Sequence, residues 1–270
     1  MRRAGPCTGN LGPLAVGDVS AVSPDSEDGD LVERGAVSQS ARDALDRLVI
    51  AMDGTAGSGK STASRGVAEA LELRYLDTGA RYRALTWQML LDRIDVTDAA
   101  AVAEHAVGVD IESGTDPRRP TIRLGGVDVS RQIRSDGVTA AVSVVSAVPE
   151  VRELMVEQQR RLIGSGGIVV EGRDIGTVVA PDADLKVFLS ADPAARAARR
   201  SAEMTTDPSR DVKSVQADLL RRDLHDSSRA TAPLSVAPDA VTIDSTSLSL
   251  SAVIDTVVEL ALARVGRVTP

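Results

Sequence analysis

Gly54-Thr55-Ala56-Gly57-Ser58-Gly59-Lys60-Ser61 sets three glycines, a lysine and a hydroxyl residue in the spacing G-x-x-x-x-G-K-[ST]. Glycines let a backbone bend until successive N–H groups point inward at an anion. A helix starting there adds its partial positive charge. Lys60 would bring a mobile full charge to the β- and γ-phosphates of a nucleoside triphosphate, and the Ser61 hydroxyl can ligate Mg²⁺. The context is right: Leu48-Val49-Ile50-Ala51-Met52 before the loop reads as a buried strand, and Val67, Ala68, Ala70 and Leu71 after it give a helix an apolar face. Asp53 between them either caps the loop or activates a group.

Such a loop grips a triphosphate without saying what happens next. A GTPase needs a base-reading N-K-x-D motif, and the only asparagine is Asn10. A motor or helicase needs a polymer track, which a chain of net charge −8 does not offer. Transfer to a second phosphate needs positive groups that clamp both partners as charge develops between them. Arginine suits this through its planar, bidentate fork. Arg81 and Arg83 follow Asp77-Thr78-Gly79, Arg173 follows Glu171-Gly172, and Arg222 and Arg229 flank Asp226. Any one of these taken alone reads first as a solvated surface residue. As a set placed after strand ends, where open α/β sheets bind ligands, they point to an anionic acceptor.

Composition removes other classes. Trp87, Phe188, Tyr75 and Tyr82 are the only aromatics, so the core must be aliphatic and rows of stacking rings for single strands are ruled out. The acidic balance argues against any nucleic-acid polymer as partner. No apolar run approaches the roughly 18 residues that span a bilayer. One cysteine, Cys7, and two histidines, His105 and His225, make neither disulfides nor a soft-ligand metal site. The expectation is a cytoplasmic protein that acts as a monomer on small molecules.

These groups are positioned by strands alternating with helices. Ile168-Val169-Val170, Leu185-Lys186-Val187-Phe188-Leu189 and Ala240-Val241-Thr242-Ile243 are further buried-strand runs, each followed by helical pattern, and Tyr75-Leu76 is a short strand. Asp192-Pro193 starts one helix. The last helix carries Leu250, Val253, Ile254, Val257, Val258 and Ala261 at amphipathic spacing. The fold class is α/β, a P-loop parallel sheet flanked by helices. Thr121 to Val129, with Gly125-Gly126 at its centre, reads as a β-hairpin and, with Val109-Asp110-Ile111, as a small antiparallel insert over about residues 108–148. Residues 1–46, mixed in Gly, Pro, Ser and Asp, read as a disordered leader, either functionless or regulatory, ahead of a domain over 47–268.

Several blocks resemble the bacterial cytidylate kinase family. They are Ile50-Ala51-Met52-Asp53-Gly54 through Ser61-Thr62, Tyr75-Leu76-Asp77-Thr78-Gly79-Ala80-Arg81-Tyr82-Arg83, and Val169-Val170-Glu171-Gly172-Arg173-Asp174-Ile175-Gly176-Thr177-Val178-Val179. Val142-Ser143-Val144-Val145-Ser146, Pro149-Glu150-Val151-Arg152 and Arg222-Asp223 with Asp226 and Arg229 extend the likeness, in order, from Leu48 to the last helix. The resemblance implies ATP and Mg²⁺ as cofactors and CMP or dCMP as acceptor. It implies that Gly54, Thr55, Ala56, Gly57, Ser58, Gly59, Lys60, Ser61 and Thr62 hold ATP, with Arg196 facing its base. Thr78 and Arg83 would touch the acceptor phosphate, joined by Arg173 and Arg229. Ser143, Arg152 and Asp174 would read the cytosine, while Arg222 and Asp226 approach the sugar. Catalysis would then rest on Lys60, Arg83, Arg173 and Arg229.

Two departures stand out. Thr78 takes a place where serine is common, and Leu224-His225 replaces a charged pair. A short lid is expected over about residues 204–214, with Thr205-Thr206-Asp207-Pro208 as a hinge or an ordinary helix–helix loop. Glu171 would order a water on Mg²⁺ or pair with an arginine. A kinase for UMP, AMP or shikimate is the near alternative, and a silent nucleotide-binding scaffold the distant one.

Overall fold

The computed structural model describes residues 39–203, 212–229 and 231–268. Five strands, β1 (Val49–Gly54), β2 (Arg74–Asp77), β6 (Ile168–Glu171), β7 (Leu185–Ser190) and β8 (Val241–Asp244), form one sheet in the order β2-β6-β1-β7-β8. Every pair is parallel: Ile50 lies opposite Val169 on one side and opposite Leu185 on the other. A central parallel strand is covered on both faces, which is why β1 is a nearly unbroken apolar run. The pleat then divides it. Ile50 and Met52 join Val67, Val187, Val257 and Ala261 on one face, packed by α1 (Gln39–Leu45), α2 (Lys60–Ala70) and α9 (Leu250–Val268). Ala51 joins Leu76, Val170 and Ile175 on the other.

A second, three-stranded antiparallel sheet holds β3 (Ile111–Ser113), β4 (Ile122–Leu124) and β5 (Val127–Asp128). Its hairpin turns on Gly125 and Gly126, at φ of 51° and 80°. Two consecutive left-handed residues make the turn whose twist matches the flanking strands. A 3₁₀ turn, Gln132–Arg134, and α5 (Asp136–Val145) follow. Their core is shared with α3 (Thr78–Leu91), α4 (Ala99–Ala106) and α6 (Pro149–Ile163) through Leu85, Met89, Val102, Ile122, Val145 and Met155. Aliphatic residues predominate in this core, with Tyr82 and the partly buried Trp87 as its rings.

Two expectations meet a different outcome, and a third falls largely outside the described residues. The leader was expected to run to residue 46. Residues 1–38 lie outside the described residues, but α1 occupies Gln39–Leu45. A seven-residue helix has too few hydrogen bonds to hold itself; Leu45 is buried in the main core, and Arg42 Nη1 reaches Glu72 Oε2 at 2.7 Å. β6 leads into a single π-helical turn, Ile175–Val179, instead of a regular helix. The Asp53 carboxylate draws this turn in, accepting from Ile175 N and Gly176 N, each at 2.8 Å. Most of the expected lid, residues 204–211, lies outside the described residues; 212–214 already belong to α8 (Val212–Ser227).

Candidate active site

The glycine-rich loop leaves β1 at Gly54, whose φ of +150° and whose close approach to the Leu189 carbonyl leave no space for a Cβ. Gly57 and Gly59 follow at φ of 75° and 85°, and Lys60 opens α2. Left-handed residues alternating along a loop turn its amides to one side, the concavity that binds phosphate. Lys60 is buried, with Nζ 3.6 Å from Glu171 Oε2. Burial first, and the nearby Arg173 second, lower its proton affinity. Both effects raise the cost of holding charge there without a further anion, and so favour a phosphate as the missing partner.

Glu171, at the end of β6, organises this corner. It accepts from Ser61 Oγ at 2.9 Å and from the Tyr75 hydroxyl, and its backbone carbonyl accepts from Thr78 Oγ1 at 2.7 Å. Its partners are thus a lysine and two hydroxyls. Burial and the Glu171 charge push the Tyr75 hydroxyl far above its usual range, so it remains a donor.

Across the same cleft, of about 510 Å³, stand the arginines. Arg173 Nε donates to Asp226 Oδ2 at 2.9 Å, and Arg229 Nη2 donates to Asp226 Oδ1 and, at 3.0 Å, to Ser146 Oγ. One carboxylate on α8 therefore holds two guanidiniums. Arg152 pairs with Asp174, reaches Ser146 O at 3.3 Å, and lies with Cζ 5.8 Å from the Tyr82 ring centre. Arg83 Nη2 reaches Asp77 Oδ2 at 3.1 Å, while the other Asp77 oxygen caps α3 through Ala80 N. Burial lowers the proton affinity of Arg229, with Arg152 and Arg173 adding to it. Burial does the same to Arg222, with Arg200, Arg83 and Arg173 adding. Guanidiniums stay charged at these positions; the shifts register a crowd of cations converging where a second anion would lie. Asp174 is raised by burial, against the pull of Arg152.

The cleft gathers Ala56, Gly57, Gly59, Lys60, Ser61 and Thr62 from the loop side. From the sequence-predicted acceptor set it gathers Thr78, Arg83, Ser143, Arg152, Arg173, Asp174, Arg222, Asp226 and Arg229. Gly54, Thr55 and Ser58 shape the loop without lining it; Ser58 Oγ, for example, donates to Thr55 O at 3.0 Å. Arg196 was expected at the donor base. It is instead buried beneath the loop, donating to Ala56 O at 2.9 Å and paired with Asp223. Asp226, expected near the sugar, is committed to Arg173 and Arg229. Ser146, Tyr75, Asp77, Asp223 and Arg200 belong to the site or its support and were not singled out by their chemistry. Tyr75 had one available signal, a polar ring among only four aromatics.

Asp53 caps the turn after β6 and carries a pH signature. Burial outweighs its two amide bonds and raises its pKa from 3.8 to about 6. The folded state then binds this proton more tightly than the unfolded chain, so Asp53 lowers stability as pH rises from about 4 to about 6 and has a constant effect above that. Urea unfolding at about pH 4 and about pH 7, of the wild type and of Asp53→Asn, isolates this slope from that of other carboxylates. Relative to the variant, the wild type is expected to lose stability on going to the higher pH; a parallel pH response would remove the assignment.

A phosphate loop at the carboxyl end of a parallel sheet, facing a cluster of guanidiniums across one cleft, defines a P-loop phosphotransferase that joins two anionic substrates. The cytidylate kinase family model matches residues 50–263. A cytidylate kinase of Streptomyces avermitilis is 55% identical over 215 residues, covering 79% of this chain and 92% of its own. Those of Rhodococcus jostii and Mycobacterium leprae are 50% and 48% identical, each covering 82% of this chain and 97% and 98% of their own lengths. This chain belongs to the cytidylate kinase family.

Proposed function

We propose that this enzyme transfers the γ-phosphoryl group of ATP to the phosphate of CMP or dCMP, giving ADP and CDP or dCDP. The observation that carries the reading is the shared cleft: Lys60 and residues of the phosphate loop line it together with Arg83, Arg173 and Arg229. An acceptor phosphate oxygen forms the new bond to the γ-phosphorus as the bond to the β,γ-bridging oxygen breaks, and ADP leaves with that electron pair. The acceptor is already an oxyanion, so no protein base is needed. Rate comes from alignment and from neutralising the charge shared between the two phosphates.

The fit to Mg²⁺ rests on the donor chemistry at Ser61 and Glu171. A hydroxyl and a carboxylate 2.9 Å apart are hard oxygen donors, and two of them suit an ion that keeps waters and takes phosphate oxygens. No group of three or more His, Cys, Asp or Glu side chains among the described residues could hold a metal by itself, in keeping with an ion that arrives on the nucleotide. Ser61 would hold it directly and Glu171 through water, and when bound it would withdraw charge from the β- and γ-phosphates.

On the acceptor side, Asp174 beside Arg152 offers oxygen to the 4-amino group that distinguishes cytosine from uracil, and Ser143 lines the same wall. Among the described residues no helix is long and apolar enough to cross a membrane. We read the enzyme as a cytoplasmic monomer acting on free nucleotides. An acceptor panel of CMP, dCMP, UMP, AMP and shikimate, with ATP and ADP release as the readout, tests the assignment. CMP and dCMP are expected to lead; faster turnover of UMP, AMP or shikimate than of CMP would reassign the substrate, and ATP binding without ADP release on any acceptor would leave a silent binding protein.

A further inference from the structure

Arg196 and Asp223 form a buried ion pair that no part of the phosphoryl-transfer scheme uses, and both partners grip the same loop residue. Asp223 Oδ1 accepts from Ala56 N at 2.9 Å, its Oδ2 meets Arg196 Nη1, and that same nitrogen donates to Ala56 O at 2.9 Å. The two side chains thus satisfy the backbone donor and the backbone acceptor of one residue, Ala56, in the middle of the phosphate loop. Around them Ala56 packs with Ala197, Val215 and Leu219 in a small core separate from the main ones. A Cβ on Gly57 would meet Leu219 Cδ1 at 3.3 Å and Arg196 Cβ at 3.4 Å, so the loop runs close against α7 (Pro193–Glu203) and α8 at this point.

The position of this pair in the chain gives it a consequence. Asp223 lies one turn before Asp226, and α8 also carries Arg222, with Arg229 just beyond its end. Asp226 in turn fixes Arg173 and Arg229. A single rigid turn of helix therefore connects the backbone of the donor loop to the acceptor-side guanidiniums. Residues three apart on a helix share a face, which places Asp223 and Asp226 along one edge of α8, the first against the loop and the second in the cleft.

We propose that Asp223 and Arg196 are positioning residues for phosphoryl transfer, setting the distance between the donor cradle and the Arg173–Arg229 clamp by pinning α8 to Ala56. They touch neither nucleotide themselves. Removing them releases the register between two halves of the site while leaving each half able to bind its own ligand. The proposal rests on the kinase reading above.

The test uses the full chain with ATP and CMP. Arg196→Met with Asp223→Ala removes both charges together, so neither is left buried without its partner. This pair variant is expected to lose about 10²-fold in kcat, the scale of a misplacement near 1 Å. The dissociation constants of ATP and of CMP, each measured alone, are expected to move by less than about threefold, the mark of an interaction made in the transition state. Combined with Arg229→Ala, the losses are expected to be far less than multiplicative, because both changes disable the same clamp. A pair variant with wild-type kcat, or losses that multiply in that background, would overturn the proposal. The milder Asp223→Asn keeps an oxygen on Ala56 N–H and is expected to be the better enzyme of the two. Should the pair variant fail to fold, the same cycle run with Asp223→Asn decides: a loss of about tenfold that vanishes in the Arg229→Ala background supports the proposal, and an unchanged kcat or a multiplying loss ends it. A wild-type chain that releases no ADP with CMP would instead defeat the kinase reading itself.

Discussion

Lys60→Ala is expected to abolish phosphoryl transfer, lowering kcat by on the order of 10³-fold or more, while the protein still folds. The lysine is buried at the first turn of α2 and is the one ammonium in the loop. Burial and the neighbouring Arg173 already disfavour its charge, so a triphosphate that restores a counter-charge interacts with it strongly in a water-poor pocket. That interaction grows as negative charge moves onto the β,γ-bridging oxygen, and it is lost in full with the side chain. The fold has other supports. Glu171 retains Ser61 and Tyr75 as donors, and the loop keeps its glycine geometry and the Ala56 clamp. Lys60→Arg is not expected to rescue, because a wider planar fork cannot take the place of a compact ammonium in an enclosed position. ADP release under saturating CMP, beside a thermal melt, gives both halves of the expectation. Undiminished turnover in Lys60→Ala would remove the phosphate loop from the mechanism.

Much of the architecture was legible because parallel strands must be buried on both faces. Ile50-Ala51-Met52 and Ile168-Val169-Val170 are therefore apolar at every position, and a run of that kind needs no neighbour to identify it. The loop was legible for a similar reason: glycine spacing is a local demand of the backbone. The hairpin around Gly125-Gly126 belongs to the same class. What stayed hidden depends on partners distant in sequence. The π-turn after β6 exists because Asp53 reaches it from 122 residues away. α1 is helical because Leu45 has a core to enter, which no seven-residue pattern can announce.

The site divides along the same line. The types and order of its arginines were readable, and the cleft collects Arg83 from α3, Arg173 after β6, Arg222 from α8 and Arg229 just past its end, while Arg81 donates to Ile111 O in the insert instead. Their pairings were not. Arg196 sits on a helix that the sequence predicts well, yet Asp223, 27 residues later, decides which way it points. Asp226 looks from sequence like a group free to meet a ligand, and in the fold it is fully engaged by two guanidiniums. Charge pairing is settled by tertiary distance, which composition and spacing do not carry.

Arg229→Ala is expected to reduce kcat with CMP by about 10³-fold, the scale of a guanidinium that stabilises transferring phosphoryl charge. Arg229 stands just past the end of α8 with one nitrogen shared between Asp226 and Ser146 Oγ, and its Nε has no partner among the described residues. A buried donor left open is a cost unless something arrives to use it. Arg229 lines the cleft, where Arg173 and Arg152 already crowd the same space with positive charge. An acceptor phosphate supplies the partner, and the developing transition state, with its extra negative charge between the two phosphates, supplies a stronger one. The loss should therefore fall mainly on kcat, with a smaller rise in KM for CMP and little change for ATP. Arg229→Lys keeps the charge but not the fork, and is expected to recover only part of the rate. Stability should change little, since Asp226 keeps Arg173 at 2.9 Å. Steady-state kinetics on the three forms separate these terms, and a loss below about tenfold in Arg229→Ala would move this arginine out of the clamp and leave it a structural partner of Asp226.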